Sequence, residues 1–194
     1  MASKYGYALG AVGLKVKDEH IQHIKHVLSF QRTPEAKIQR DKLWGGFDVN
    51  NNGLLSLAEV DKGLRDVLHL GDNLFHAKKA IIRAFNSAKE AVQLKGKHSD
   101  DYVNRCEFRL LLKFLWDYFL LYNAFMGLET DGDLRLSLDE FKANFKSIEH
   151  IVGQINNPDA EFHSMHPGPN GHVLFENFCR WAYKRDADGE IDAE

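Results

Sequence analysis

The chain has 194 residues, 44% hydrophobic and 27% charged, which is enough for one large domain or two small ones, each with its own core. A formal net charge of −3 gives no global reason to expect nucleic acid. Two distant cysteines in apolar surroundings, Cys106 and Cys179, argue against a disulfide framework and read as reduced core thiols of a cytosolic protein.

The first thirty residues carry no signal-peptide apolar core. Ile21, Ile24, Val27 and Leu28 recur at helical spacing behind Asp18, a candidate N-cap. His20, His23 and His26 lie on the same segment with Lys15, Lys17 and Lys25 nearby. They read as a solvated, weakly basic face, one that could also touch an anionic membrane or partner. Thr33-Pro34 is an N-cap followed by proline at the first helical position, and this helix runs through Leu43, Trp44 and Phe47.

It leads into the most informative segment of the chain. Asp48, Asn50 and Asn52 put oxygen side chains at positions 1, 3 and 5 of a twelve-residue loop, and Gly53 stands at position 6, where the chain turns sharply. Leu54 offers a backbone carbonyl at position 7, Ser56 occupies position 9, and Glu59 supplies a carboxylate at position 12. This is the pattern of an EF-hand calcium loop, suited to a hard cation that takes six to eight oxygens in loose geometry. With only two acids, the loop is expected to bind in the sensor range rather than as a tight buffer.

An exit helix follows with Val60, Leu64, Val67 and Leu68 inward, and Gly71-Asp72-Asn73 ends it. Ala80, Ile81, Ala84 and Phe85 mark the next helix. EF-hand loops pair through a short ribbon at position 8, so the interval from Leu55 to Glu59 can be used to search for weaker copies. Val103 and Glu107 repeat it, placing Gly96, His98 and Asp100 at positions 1, 3 and 5 of a long basic loop poor in ligands. The apolar run from Phe108 to Phe125 is broken by Arg109, Lys113, Asp117 and Asn123, so it reads as a buried helix and not a membrane span.

Leu136 and Glu140 repeat the interval again. Counting back places Glu129, Asp131 and Asp133 at positions 1, 3 and 5, and Arg135 at the backbone-carbonyl position 7. Four acids in one loop repel one another unless a cation intervenes, so calcium is expected to order it. Leu134 stands where the turning glycine belongs, and Gly132 is expected to let the turn shift. In the last copy Val173 takes position 8, with His166, Gly168, Asn170 and Gly171 before it. Position 12 is Asn177, so no acid remains at the key positions. His163, His166 and His172 show no recognised zinc spacing and read as surface residues.

The expected fold is all-α: four EF-hand helix–loop–helix units in two pairs, with short β-ribbons in the loops. Leu55 should face Val103, and Leu136 should face Val173. Residues 1–33 form an N-terminal extension with a short helix. Residues 34–112 form the first pair, and 113–194 the second pair and a C-terminal tail.

The second unit narrows the match. Ala84-Phe85, a long basic loop, Asp101-Tyr102-Val103, Glu107-Phe108-Arg109-Leu110 and Trp116-Asp117-Tyr118-Phe119 resemble the calflagins, flagellar calcium-binding proteins of protozoa. Val173-Leu174-Phe175, Phe178, Trp181-Ala182 and Asp186-Ala187-Asp188-Gly189 extend the resemblance, which covers roughly residues 34–190. It implies a four-EF-hand fold, calcium sites in the C-terminal half, and flagellar membrane association through N-terminal acylation. Glu129, Asp131, Asp133 and Glu140 match the family's third loop, whereas the fourth has lost its acids. Ala2 stands where myristoylation needs glycine, with no cysteine nearby, so anchoring is not carried over and a cytoplasmic location is expected.

The function expected is that of a calcium sensor whose conformational change exposes a surface for an unidentified protein target or a membrane surface. A calcium buffer or a structural EF-hand scaffold is the alternative. No nucleophile motif, phosphate loop or small-molecule substrate site is legible, so no enzyme is expected.

Overall fold

A computed structural model describes residues 18–68, 77–91 and 101–185, which divide into two compact units between Tyr122 and Asn123. The segments holding Ala2, Gly71-Asp72-Asn73, Gly96, His98, Asp100 and Asp186 onward lie outside the described residues.

In the first unit, α1 (Asp18–Leu28) buries Ile24 and Leu28. The chain then reverses at Ser29, whose φ is +48°. The Ser29 hydroxyl donates to Gln39 Oε1 at 2.7 Å, and Arg40 Nη1 donates to the carbonyls of Ser29 and Gln31, each at 2.6 Å. Both partners lie on α2 (Pro34–Phe47), which starts as expected: Thr33 Oγ1 accepts from Ala36 N at 3.2 Å, with Pro34 in the first turn. The first loop carries β1 (Leu54–Leu55) and leads into α3 (Leu57–Asp66). Next come α4 (Lys78–Ala91), β2 (Val103–Asn104) and α5 (Phe108–Leu128), whose residues contribute to both units.

β1 and β2 pair antiparallel with Leu55 opposite Val103, the register the repeat interval predicted. Both side chains are fully buried, and Leu28, Phe47, Leu64, Leu111, Leu112 and Leu115 join them in the core. Phe108 meets the edges of Trp44 and Phe47 at centroid distances of 5.2 and 5.4 Å. Gly63 lets α3 approach α2, since a Cβ there would lie 2.6 Å from the Phe47 ring. Val60, Leu64 and Leu68 face inward as expected, while Val67 is half-buried at the end of α3. Phe30 stacks on Trp116 at 6.2 Å, and Lys113 pairs with Asp117 at 2.7 Å in the interior, so the charges interrupting this apolar helix neutralise each other.

The second unit takes the end of α5, then β3 (Arg135–Leu136) and α6 (Leu138–Asn144). A 3₁₀ turn (Phe145–Ile148) and α7 (Glu149–Val152) follow, then α8 (Pro158–Ser164), β4 (Val173–Leu174) and α9 (Phe175–Arg185). β3 and β4 pair antiparallel with Leu136 opposite Val173, again as predicted. Phe125 packs edge-on against Phe175 and Phe178 at 5.6 and 5.5 Å, and Phe141 meets Phe162 and Trp181. Arg185 ties α9 back by donating to the carbonyls of Val152 and Gln154 and by pairing with Glu161.

The expectation for the cysteines fails in part. Cys179 is buried, but Cys106 is exposed. Cys106 sits in the tight turn after β2, where its N–H donates to Asn104 Oδ1, and its apolar sequence neighbours Val103 and Phe108 face the core without it. Among the described residues no helix is long and apolar enough to cross a membrane.

Candidate metal centres

The first loop is built by turn chemistry. Asp48 closes α2 through its N–H to Trp44 O and is itself buried. Its two carboxylate oxygens accept from the backbone N–H groups of Asn52 and Gly53, at 3.1 and 3.0 Å. Asn50 Oδ1 also accepts from Asn52 N, and Asn52 Oδ1 from Leu54 N. Local side-chain-to-backbone bonds of this kind are what Asp and Asn favour. They wind the loop so that positions 1, 3 and 5 converge. Asn51 and Gly53 supply the left-handed residues, with φ of +55° and +79°.

Glu59 reaches across this loop. Its Oε2 accepts from Ser56 N and Oγ at 2.9 and 2.8 Å, and Ser56 Oγ accepts from Glu59 N, making a capping box at the start of α3. The other oxygen, Oε1, accepts from Asn50 Nδ2 at 2.8 Å. Hydrogen bonds therefore tie Asp48, Asn50, Asn52 and Glu59 into one network of oxygen-bearing side chains. Ser56 is differently placed, because its hydroxyl is engaged by Glu59. Leu54 brings only its backbone carbonyl, from within β1.

The second acid-bearing loop follows the same path with different residues. Glu129 is buried, and its Oε1 accepts from the N–H groups of Gly132 and Asp133. Asp131 Oδ1 accepts from Asp133 N at 3.0 Å, and Asp133 Oδ1 from Arg135 N at 2.7 Å. Glu129, Asp131 and Asp133 bring carboxylate oxygens within 4.8 Å of one another. Glu140 repeats the capping box with Ser137, and its Oε1 accepts from Thr130 N at 2.8 Å and Thr130 Oγ1 at 3.1 Å. Arg135 lies in β3 with its side chain exposed, so its backbone is what it offers the loop.

Here the expected shift of the turn does not occur. Leu134 itself holds a left-handed backbone, with φ of +60°, and Gly132 holds the other at +82°. Glycine and non-glycine have exchanged positions 4 and 6 relative to the first loop. The exposed Leu134 side chain meets no packing constraint, so the cost is the backbone penalty of about 1–2 kcal/mol.

The electrostatics differ as well. Burial raises the Glu129 carboxyl above its ordinary range, the neighbouring Asp131 and Glu140 add to this, and the Gly132 and Asp133 N–H groups oppose it. For Glu140, burial pulls upward but the hydrogen bonds from Ser137 and Thr130 prevail and lower it. Glu129 Oε2 is buried with no hydrogen-bond partner. An orphaned buried carboxylate oxygen facing other acids is costly unless a cation meets it. An all-oxygen donor set with one backbone carbonyl fits calcium, not zinc.

The two remaining copies keep the ribbon, and each has its own residue at position 12. Glu107 is fully buried, and its Oε2 accepts from Asn104 N at 2.8 Å, so this acid caps α5. In the last loop Asn177 Nδ2 donates to His166 O at 2.7 Å, linking position 12 directly to position 1. Gly168 N donates to His172 O and Gly171 N to Gly168 O, both at 2.9 Å. In this last loop protein hydrogen bonds thus stand where an ion would. The roles of Thr130 and Asn177 escaped the sequence reading. The one available signal was that Asn177 is polar and sits at position 12, opposite the loop's first residue.

Comparison with known proteins agrees with this geometry. Residues 24–115 match the family model described as the FCaBP EF-hand domain. The flagellar calcium-binding protein of Trypanosoma cruzi is 32% identical over 174 residues, covering 88% of this chain and 82% of that protein. Flagellar calcium-binding proteins TB-24 and TB-17 of Trypanosoma brucei brucei are each 31% identical over 176 residues. They cover 87% and 89% of this chain, and 81% and 76% of their own lengths.

Proposed function

We propose a sensor's role for this chain, which belongs to the EF-hand family of flagellar calcium-binding proteins and binds calcium. The family is one of calcium-binding proteins and not of enzymes. The observation that carries the reading is the double duty of the position-12 glutamates. Glu59 and Glu140 each hold the first turn of an exit helix and also reach across to the start of a loop. An ion drawn into either loop competes for the same carboxylate, so its arrival acts on the seating of α3 or α6.

Asp48, Asn50, Asn52 and Glu59, with the Leu54 carbonyl, would hold one ion. Glu129, Asp131, Asp133 and Glu140, with the Arg135 carbonyl, would hold the other, and Ser56 supports the first loop through Glu59. The chemistry calcium supplies is electrostatic: it gathers oxygens that otherwise repel or lack partners. The exposed product of that change is read here as a docking face for a protein target or a membrane surface. A flagellar location is proposed from the names of the relatives.

A scaffold role is the second reading, favoured by Asn177, which ties position 12 of the last loop to position 1 by a protein hydrogen bond. Calcium calorimetry in millimolar magnesium, on the wild type, Glu59→Gln and Glu140→Gln, paired with a dye for exposed apolar surface, separates the readings. The sensor predicts two sites, each abolished by its own substitution, and a dye signal that rises with calcium. Binding without a dye signal indicates a buffer, and no binding at millimolar calcium leaves the scaffold.

A further inference from the structure

We propose that an open cleft between α2 and the start of α5 is a binding site for a phosphate-bearing anion. The cleft encloses about 300 Å³, the lower end of the size range of small-molecule sites, which suits a compact organic phosphate. Four cations line it, Lys37, Arg40, Arg105 and Arg109, against a single carboxylate, Asp41. That carboxylate is already engaged: Arg105 Nη2 donates to Asp41 Oδ1 at 2.9 Å, at the exposed rim. Arg40 is oriented by its bonds through Nη1 to two backbone carbonyls, which fix its guanidinium without neutralising it.

Arg109 is the centre of the argument. It is half-buried and has no acid partner among the described residues. Burial lowers its pKa first, and the charges of Arg32 and Arg40 lower it further, so three guanidinium groups share one region. Taking a cation partly out of water beside like charges is unfavourable, and an anion in the cleft reverses that balance. Guanidinium groups bind phosphate through parallel N–H···O bonds, a geometry that lysine cannot copy. The buried Trp44 and Phe108 form an apolar wall behind the charges, favouring the body of an organic ester over a bare ion.

The shared chemistry is a phosphate monoester, free in solution or carried on a lipid headgroup. The test is calorimetry on the full chain in calcium-free buffer with inorganic phosphate and inositol trisphosphate. Co-sedimentation with phosphatidylcholine vesicles, with and without phosphatidylinositol bisphosphate, forms the second arm. Inositol trisphosphate is expected to bind more tightly than inorganic phosphate. Its affinity should fall about tenfold in Arg109→Gln and about threefold in Lys37→Gln, with circular dichroism unchanged. Lys146→Gln, in the other unit, should bind like the wild type. Vesicle binding that needs both the phosphorylated lipid and Arg109 assigns the site to a headgroup, whereas binding of the soluble phosphate alone assigns it to a free metabolite. The proposal is overturned if inositol trisphosphate fails to bind at millimolar concentration, or if Lys146→Gln weakens it as much as Arg109→Gln does.

Discussion

The loops at 48–59 and 129–140 trace one backbone path with opposite chemistry. The first has neutral amides at positions 3 and 5, glycine at position 6, and a winding made largely by short-range bonds to Asp and Asn side chains. The second has carboxylates there, a leucine forced into the left-handed region, and an acid oxygen left without a partner. Both loops are wound by short side-chain-to-backbone bonds, but the second crowds carboxylates together and leaves one acid oxygen unpaired. The comparison teaches that one backbone path, supplied by local turn chemistry, can carry either a largely neutral lining or a charged one that only an ion balances.

The largest effect that would sharpen this contrast is on chelation. Ligand binding stabilises the folded state by about 2.7 kcal/mol at a hundred times the dissociation constant. The acidic loop has in addition its own repulsion to relieve. Removing calcium should therefore increase hydrogen exchange at 129–140 more than at 48–59, and equal protection loss in both loops would break the comparison. Next is the exchanged glycine. Leu134→Gly should raise the thermal stability of the calcium-free protein by about 1 kcal/mol, and Gly53→Leu should lower it by about 1–2 kcal/mol. If both substitutions move stability in the same direction, the two turns are not equivalent.

Asn177→Ala removes a neutral hydrogen bond worth about 1 kcal/mol from the last loop. Denaturant titration should show that loss, while calcium calorimetry keeps its stoichiometry. A loss of calcium binding would mean that the fourth loop matters to its neighbour's ion. The smallest effect is on pH. Glu129, raised in the folded state, stabilises the calcium-free protein below the ordinary glutamate range, and this contribution is lost as pH rises through its raised value. Glu140, lowered, contributes above the ordinary range and loses its part as pH falls through the lowered value. Glu129→Gln should flatten the first leg of the stability profile and leave the second.

Much of this was legible in the residues. The interval from position 8 to position 12 located both ribbons, and their register follows from Leu55, Val103, Leu136 and Val173 each needing burial. Thr33-Pro34 and the Ser56–Glu59 spacing announced helix starts for reasons that are local in the chain. What could not be read depended on the surroundings each residue meets in the fold. Cys106 is exposed because of a turn and not because of its flanking residues. Leu134 kept its strained backbone because its side chain met solvent, and the arginine cleft exists only where α2 passes α5. The counter-role of Asn177 lay between these cases: its position was counted, but the carbonyl it would meet was not.

The bond from Asn177 to His166 also bears on the form of the calcium response. Cooperative uptake within an EF-hand pair requires two ions that each favour the same rearrangement across the ribbon. With position 12 of the last loop an amide bonded to His166, that pair has one acid-bearing loop to fill. One ion per pair gives a plain hyperbola, a graded response such as a gauge gives, without the threshold of a switch.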